Sequence, residues 1–433
     1  MRILAAVVAT VIGTSMTVPA VALQAPFEPE AVTVRSCIAY PDAWTGKLSR
    51  SPSLESSIAE GLDDPRLVGV GVGLSIWVQG LGEVFAVNPD FRFRPASNQK
   101  ILTAMGALEY IGADAVLTTR LSSSAPVDDG VLRGDLVLVG SGDPTLASAG
   151  THSLDSLARQ VAAMGIGTIS GDVLIDESRF DRLRTANGWS GFWIPTWVGS
   201  LSAVVVDENR ASALAADIAE PALDAGRSLI VALAENGIRV GGEATLGLEP
   251  SGAVTLAATS SVPLSDIVGE MVRDSNNMYA ETLLKEIGYR HSGLGTSQSG
   301  LAAIEELVRS MCFPRSLLQQ DGSGLSDGNT RSARQWRRIL QSAQRFTWWP
   351  DLEQSLAVAG VDGTLERRFV DTEAEANLRG KTGSITGLRA LTGTFTTAGG
   401  RTVFFSAIVD ADEPRPGMAA LDDLLVRVAA DGS

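Results

Sequence analysis

The chain opens on an apolar run: behind Met1-Arg2, residues 3–16 are mostly apolar, and small residues follow to Ala20-Val21-Ala22. That order reads as a secretory signal peptide over residues 1–22, cut after Ala22, and the run is too short to hold the chain across a bilayer. The mature chain is therefore expected to be exported, to a periplasm, a cell wall or the medium, with no transmembrane anchor. Further on, residues 101–112 are an apolar stretch of helical length. Residues 264–273 place apolar positions at helical spacing, and residues 278–284 continue as helix. Residues 388–395 and 402–409 flank Gly399-Gly400 and read as antiparallel strands joined by a tight turn.

With 433 residues and 45% apolar content, the chain has material for two or three domains with real cores. Its net charge of -15 argues against nucleic acid, whose binding needs clustered cations. An acidic substrate would have to be held by a local positive site. The chain has only two histidines, His152 and His291, and neither belongs to a G-x-S-x-G or H-E-x-x-H pattern, so a Ser-His-Asp hydrolase or a zinc peptidase finds little support. Both histidines are expected at the surface, and no metal site is expected. Cys37 and Cys312 are the only cysteines. In an oxidising compartment they are candidates for a disulfide, although spacing alone does not decide between a bridge and two separate thiols.

Of 35 basic residues only Lys47, Lys100, Lys285 and Lys381 are lysines. An amine can lose its proton when burial or positive neighbours depress its pKa, whereas a guanidinium effectively cannot. Lys100 closes Ser97-Asn98-Gln99-Lys100 at the head of the apolar stretch, so that hydroxyl and amine share one helix face near a positive helix terminus. Such an S-x-x-K arises by chance in roughly a third of chains of this composition. Ser275-Asn276-Asn277 stands on a short turn between two helical runs, where helix capping is the plain alternative. Gly380-Lys381-Thr382-Gly383-Ser384 is rarer and leads into the two strands. An extended peptide can lie along such an edge, its carboxylate meeting Lys381, Thr382 and Ser384.

In this order, S-x-x-K, S-x-N and K-T-G resemble the active site of the penicillin-recognising serine enzymes. The long gap between Lys100 and Ser275 narrows the resemblance to the class C low-molecular-mass penicillin-binding proteins, the D-Ala-D-Ala carboxypeptidase/endopeptidase group of peptidase family S13. Residues 134–146, 321–326 and 359–365 match as well, and the resemblance runs from about residue 69 to residue 410.

The resemblance implies an α+β, multidomain chain with the transpeptidase/β-lactamase-like fold: an antiparallel sheet flanked by helices, a helical lobe, and an inserted α/β domain. The catalytic domain would comprise residues 23–122 and 257–433, with a hairpin at residues 71–77 and 82–87 joining the C-terminal strands and a helix at residues 418–430 packing on them. Residues 123–256 would be the insert, with strands at 135–139 and 172–175, a helix at 154–164 and an α/β stretch at 228–245. Ser97 is expected as the acylated nucleophile and Lys100 as its base, neutral through burial and the charge of Lys381. Ser275 would relay a proton, Asn277 orient peptide and Lys100, Thr382, Gly383 and Ser384 hold substrate, and the backbone N–H groups of Ser97 and Ser384 receive the oxyanion. Neither metal nor organic cofactor is required. The expected partners are peptidoglycan peptides and, as covalent inhibitors, β-lactams. A serine β-lactamase or esterase of the same fold and a non-catalytic wall-binding scaffold are the alternatives.

Overall fold

The computed structural model describes residue 58 and residues 60–194, 196–209, 220–313 and 318–432; the signal peptide and Cys37 lie outside them. The first strands, β1 (Gly71–Val78) and β2 (Gly82–Val87), form an antiparallel hairpin. Helix α1 (Lys100–Tyr110) follows. From Lys100 to Leu108 every residue of α1 is buried, the pattern of a helix enclosed on all sides.

After α1 the chain enters a second sheet built from β3 (Thr118–Ser123), β4 (Leu136–Val139), β5 (Val173–Asp176), β6 (Ala244–Leu246) and β7 (Val254–Ser260), in the order β6-β5-β4-β3-β7. Helices α2 (Leu154–Ala163) and α3 (Pro221–Glu235) accompany it. Strands β4, β5 and β6 run parallel, whereas β3 and β7, where the chain enters and leaves, pair antiparallel from Thr118 opposite Ser260 to Ser123 opposite Val254. A hydrophobic cluster lies between these elements, and all of its buried members fall between Leu121 and Ala257.

The chain then returns through α4 (Leu264–Arg273), α5 (Asn277–Ser292), α6 (Ser297–Ser310), α7 (Ala333–Ala343) and α8 (Trp349–Ser355). It closes with β8 (Ala357–Val358), β9 (Arg379–Ile385), β10 (Leu388–Thr396), β11 (Thr402–Asp410) and α9 (Pro414–Ala429). These strands complete a six-stranded antiparallel sheet ordered β8-β9-β10-β11-β1-β2. The sheet is covered on both faces, which explains the nearly unbroken apolar run of β11. Phe404 and Ile408 face the helical lobe with α1 and α4–α7, while Val403, Phe405, Ala407 and Val409 face α9. On α9 the contact residues Met418, Leu421, Leu424, Leu425 and Val428 recur at helical spacing.

One stretch crosses from the second sheet to the helical lobe. In residues 177–209, Arg179 grips buried Glu286 with two bonds, of 2.7 and 2.6 Å, and Asp181 Oδ1 accepts Lys285 Nζ at 2.6 Å. Val198, Leu201 and Val205 share a small apolar cluster with Met278 and Leu325. By sequence this stretch belongs to the insert; by contacts it is fastened to α5.

Candidate active site

Ser97 sits in a 3₁₀ turn, Ala96–Gln99, from which α1 starts at Lys100. Side chains three residues apart nearly eclipse in such a turn, and Ser97 Oγ lies 3.1 Å from Lys100 Nζ. Asn98 anchors the turn to the sheet, its Nδ2 donating to Thr392 Oγ1 at 2.9 Å. Two glycines let other backbone close in. A Cβ on Gly383 would stand 2.7 Å from the Pro95 carbonyl oxygen, and one on Gly324 only 1.9 Å from the Ala96 carbonyl oxygen. Any larger residue would push β9, or the loop at residues 321–326, away from the Ser97 turn.

Lys100 is fully buried, and its Nζ has two further contacts: Asn277 Oδ1 at 2.6 Å and the Ser323 carbonyl at 2.8 Å. The Asn277 amide is oriented by its other end, where Nδ2 donates to the Trp197 carbonyl at 2.9 Å. Burial pulls the Lys100 amine down to about 7, against the raising influence of Asp321 and Glu281. A neutral amine has two N–H groups and one lone pair. Asn277 Oδ1 and the Ser323 carbonyl can only accept, so they take both N–H groups and leave the lone pair to the Ser97 hydroxyl.

Lys381 is also fully buried and donates to its neighbouring carbonyl at Thr382, 2.9 Å away. Burial, then the Lys100 charge, drive it well below the ordinary lysine value, with Asp274 opposing. Among the influences on Lys100 itself, burial leads and Lys381 does not figure. The sequence reading assigned part of that effect to Lys381. Repulsion between two ammonium groups is mutual, so in this pocket they resist being charged together. With Lys285, all three described lysines are interior residues.

Ser275 takes a left-handed backbone, φ 63°, in the turn between α4 and α5, a costly conformation for a residue other than glycine. Asn276 caps α5 by accepting from the Tyr279 N–H at 3.1 Å and donates to Glu208 at 3.0 Å. Asn277 thus reaches Lys100, while Ser275 is not among the partners of that amine. Ser275 and Asn277 line a cleft of about 610 Å³ together with Trp197, Glu208, Glu270 and Asp274. On β9, Thr382 donates to Thr364 at 2.7 Å, Gly383 lies against the Ser97 turn, and Ser384 is exposed.

Sequence reasoning gave no role to the groups that build the floor of the site. Glu281 Oε1 accepts the N–H groups of Gly322 (3.0 Å) and Ser323 (2.7 Å). Asp321 accepts from Gly324, Ser326, Asn329 and, at 3.0 Å, Trp189 Nε1. The match of residues 321–326 to the family was the available signal for the loop; nothing comparable marked Trp189, Trp197 or Glu281. The expectation for the histidines also needs correction. His152 is half-buried, with Nε2 2.5 Å from Asp143 Oδ2 and Nδ1 2.9 Å from Thr259 Oγ1, because the Asp143 carboxylate is enclosed and needs a partner. His291 packs edge-on to Tyr110 and meets Glu306.

Comparison with known proteins agrees with this architecture. The family described as D-Ala-D-Ala carboxypeptidase 3 (S13) matches residues 54–217 and 199–428. A D-alanyl-D-alanine carboxypeptidase of Actinomadura sp. (strain R39) is 31% identical over 88% of this chain and 85% of its own length. Carboxypeptidase DacB of Mycolicibacterium smegmatis is 31% identical over 84% of this chain and 79% of its own. Among solved structures, penicillin-binding protein 4 (dacB) of Haemophilus influenzae superposes with a TM-score of 0.75 at 21% identity, over 87% of this chain and 98% of that one. The fold is therefore that of the penicillin-recognising serine enzymes with an α/β insertion. With its family matched along most of its length and a relative 31% identical over 88% of it, the chain belongs to the D-Ala-D-Ala carboxypeptidase 3 (S13) family.

Proposed function

We propose that this member of the family is an exported serine D-Ala-D-Ala carboxypeptidase that acts on peptidoglycan stem peptides through a Ser97 acyl-enzyme. The observation that carries the reading is the Lys100 amine: buried, drawn down to about 7, with acceptors for both N–H groups and its lone pair left to Ser97 Oγ. Ser97 Oγ attacks the carbonyl of the penultimate D-Ala and its proton passes to Lys100. The backbone N–H groups of Ser97 and Ser384 receive the oxyanion. When the C–N bond breaks, Ser275 relays the proton from Lys100 to the departing D-Ala, and Asn277 holds the acyl side of the peptide. Water then attacks the ester, Lys100 again taking the proton and returning it to Ser97 Oγ as the acyl C–O bond breaks.

The terminal carboxylate of the substrate binds at Lys381, Thr382 and Ser384. An anion beside Lys381 favours its ammonium form, and that charge in turn favours a neutral Lys100. Binding thus sets the protonation state that acylation needs. Export through the signal peptide at residues 1–22 matches a wall substrate, and no described helix is long and apolar enough to cross a membrane. A Haemophilus influenzae relative solved with a bound β-lactam supports acylation of this chain by the same drugs.

The test is product analysis of the purified protein on peptidoglycan fragments. Release of D-Ala from pentapeptide stems is the expected result, and cleavage of cross-linked dimers would add endopeptidase activity. Rapid steady turnover of penicillin, with neither peptide product, would overturn the reading in favour of a β-lactamase.

A further inference from the structure

The aim of the Lys100 lone pair depends on the Ser323 carbonyl staying where it is, and that carbonyl is not part of any helix or sheet. Its peptide is held from behind. Glu281, fully buried on α5, accepts the N–H groups of both Gly322 and Ser323 with one oxygen, and the Ser323 carbonyl then meets Lys100 Nζ at 2.8 Å. Asn277, the other acceptor of Lys100, stands one helical turn earlier on α5. A single helix therefore fixes both acceptors of the amine, one directly and one through the loop.

We propose that Glu281 is a positioning residue for acylation: by holding the Gly322–Ser323 backbone it keeps the Ser323 carbonyl on Lys100 and so keeps the lone pair of the amine aimed at Ser97. This rests on the assignment of Ser97 and Lys100 given above. The carboxyl must do so without carrying charge, because an anion here would favour the ammonium form of Lys100 and remove the base. Its surroundings meet that condition. Burial and the neighbouring Asp321 carboxylate push Glu281 up to about 8, against the lowering effect of Ser323 and the two N–H groups. The other charged groups that sense it are Lys100 and Lys285.

The experiment compares the rate of covalent labelling by a fluorescent penicillin, from pH 5 to 10, in the full-length wild type, Glu281→Ala and Glu281→Gln. Alanine leaves two buried N–H groups without an acceptor, and labelling is expected to slow by about tenfold or more at every pH. Glutamine supplies an acceptor oxygen that cannot ionise. It should recover most of the lost rate with an unmoved acid limb, because the carboxyl it replaces is already uncharged where Lys100 titrates. It should also keep that rate above about pH 8, where the wild type declines as Glu281 ionises and draws Lys100 to its ammonium form. If the alanine protein does not fold, the glutamine profile decides: an acid limb moved to lower pH, or an alkaline decline identical to that of the wild type, overturns the proposal. Wild-type rate and profile in both variants also overturn it. A wild type that does not label at all would overturn the Ser97 assignment itself, a result distinct from either.

Discussion

Trp189 Nε1 donates to Asp321 Oδ2 at 3.0 Å, so a residue that lies between β5 and β6 in sequence helps to hold the loop that receives the Lys100 amine. Trp189→Phe removes that bond and keeps the aromatic bulk. The expected outcome is a loss of about 1 kcal/mol in stability together with slower penicillin labelling. Denaturant titration and stopped-flow labelling would check this, and a wild-type labelling rate would detach the segment from catalysis.

Ser97→Ala should abolish covalent labelling in a protein that still folds, since the ester oxygen is gone. Lys100→Arg should be nearly as damaging as Lys100→Ala, because a guanidinium keeps the charge but accepts no proton. Intact mass after penicillin exposure reads both variants. Substantial acylation of the arginine variant would make Lys100 an electrostatic residue only.

The acylation rate should rise with pH around a midpoint near 7, the value to which burial draws Lys100. Stability follows the same group with a definite sign. The folded state binds fewer protons at Lys100 than the unfolded chain between about 7 and the ordinary lysine value, so stability from this site rises with pH across that window. Below it the destabilisation is fully present. Lys100→Met should therefore stabilise the protein more at pH 6 than at pH 10, and equal gains at both, by chemical denaturation, would contradict a depressed amine.

Penicillin should leave an adduct that persists well beyond seconds. The E-x-x-x-N sequence nearest the K-T-G strand is Glu373 to Asn377. Glu373 is exposed, Glu375 accepts the Asp371 N–H at 2.8 Å, and Asn377 is pinned to the Thr396 backbone at the C-terminal end of β10, beyond Thr392, which faces Lys381. None is engaged with Ser97 or Lys100. Time-resolved mass spectrometry measures the adduct directly, and loss within seconds with matching turnover would identify a β-lactamase.

What the sequence made legible was local. Ser97 and Lys100 lie three residues apart, the strands at 388–396 and 402–410 flank the tight turn at Gly399-Gly400, and the helices at 264–273 and 277–292 differ from their expected spans mainly at the ends. Glu281, Asp321 and Trp189 were hidden for the opposite reason. Each is ordinary in its own neighbourhood, and its role arises only when α5, the loop and the segment at residues 177–209 converge. His152 was misjudged similarly, since its burial depends on Asp143 and on Thr259, more than 100 residues away. The boundaries of the insert are blurred by the same stretch, which joins the second sheet's core through Val204 and α5 through Arg179 and Asp181.

The interior placement of Lys100, Lys285 and Lys381 gives the protein an unusual chemical surface. Its exposed cations, among the described residues, are guanidinium groups, so reagents that couple to primary amines find no accessible target there. Modification mapped to Lys100, Lys285 and Lys381 by succinimidyl esters or amine-reactive cross-linkers would report on breathing of the fold instead of its exterior. The order in which these three amines become modified would then indicate which part of the molecule opens first: the Ser97 turn, the K-T-G strand, or the docking of residues 177–209 through Lys285.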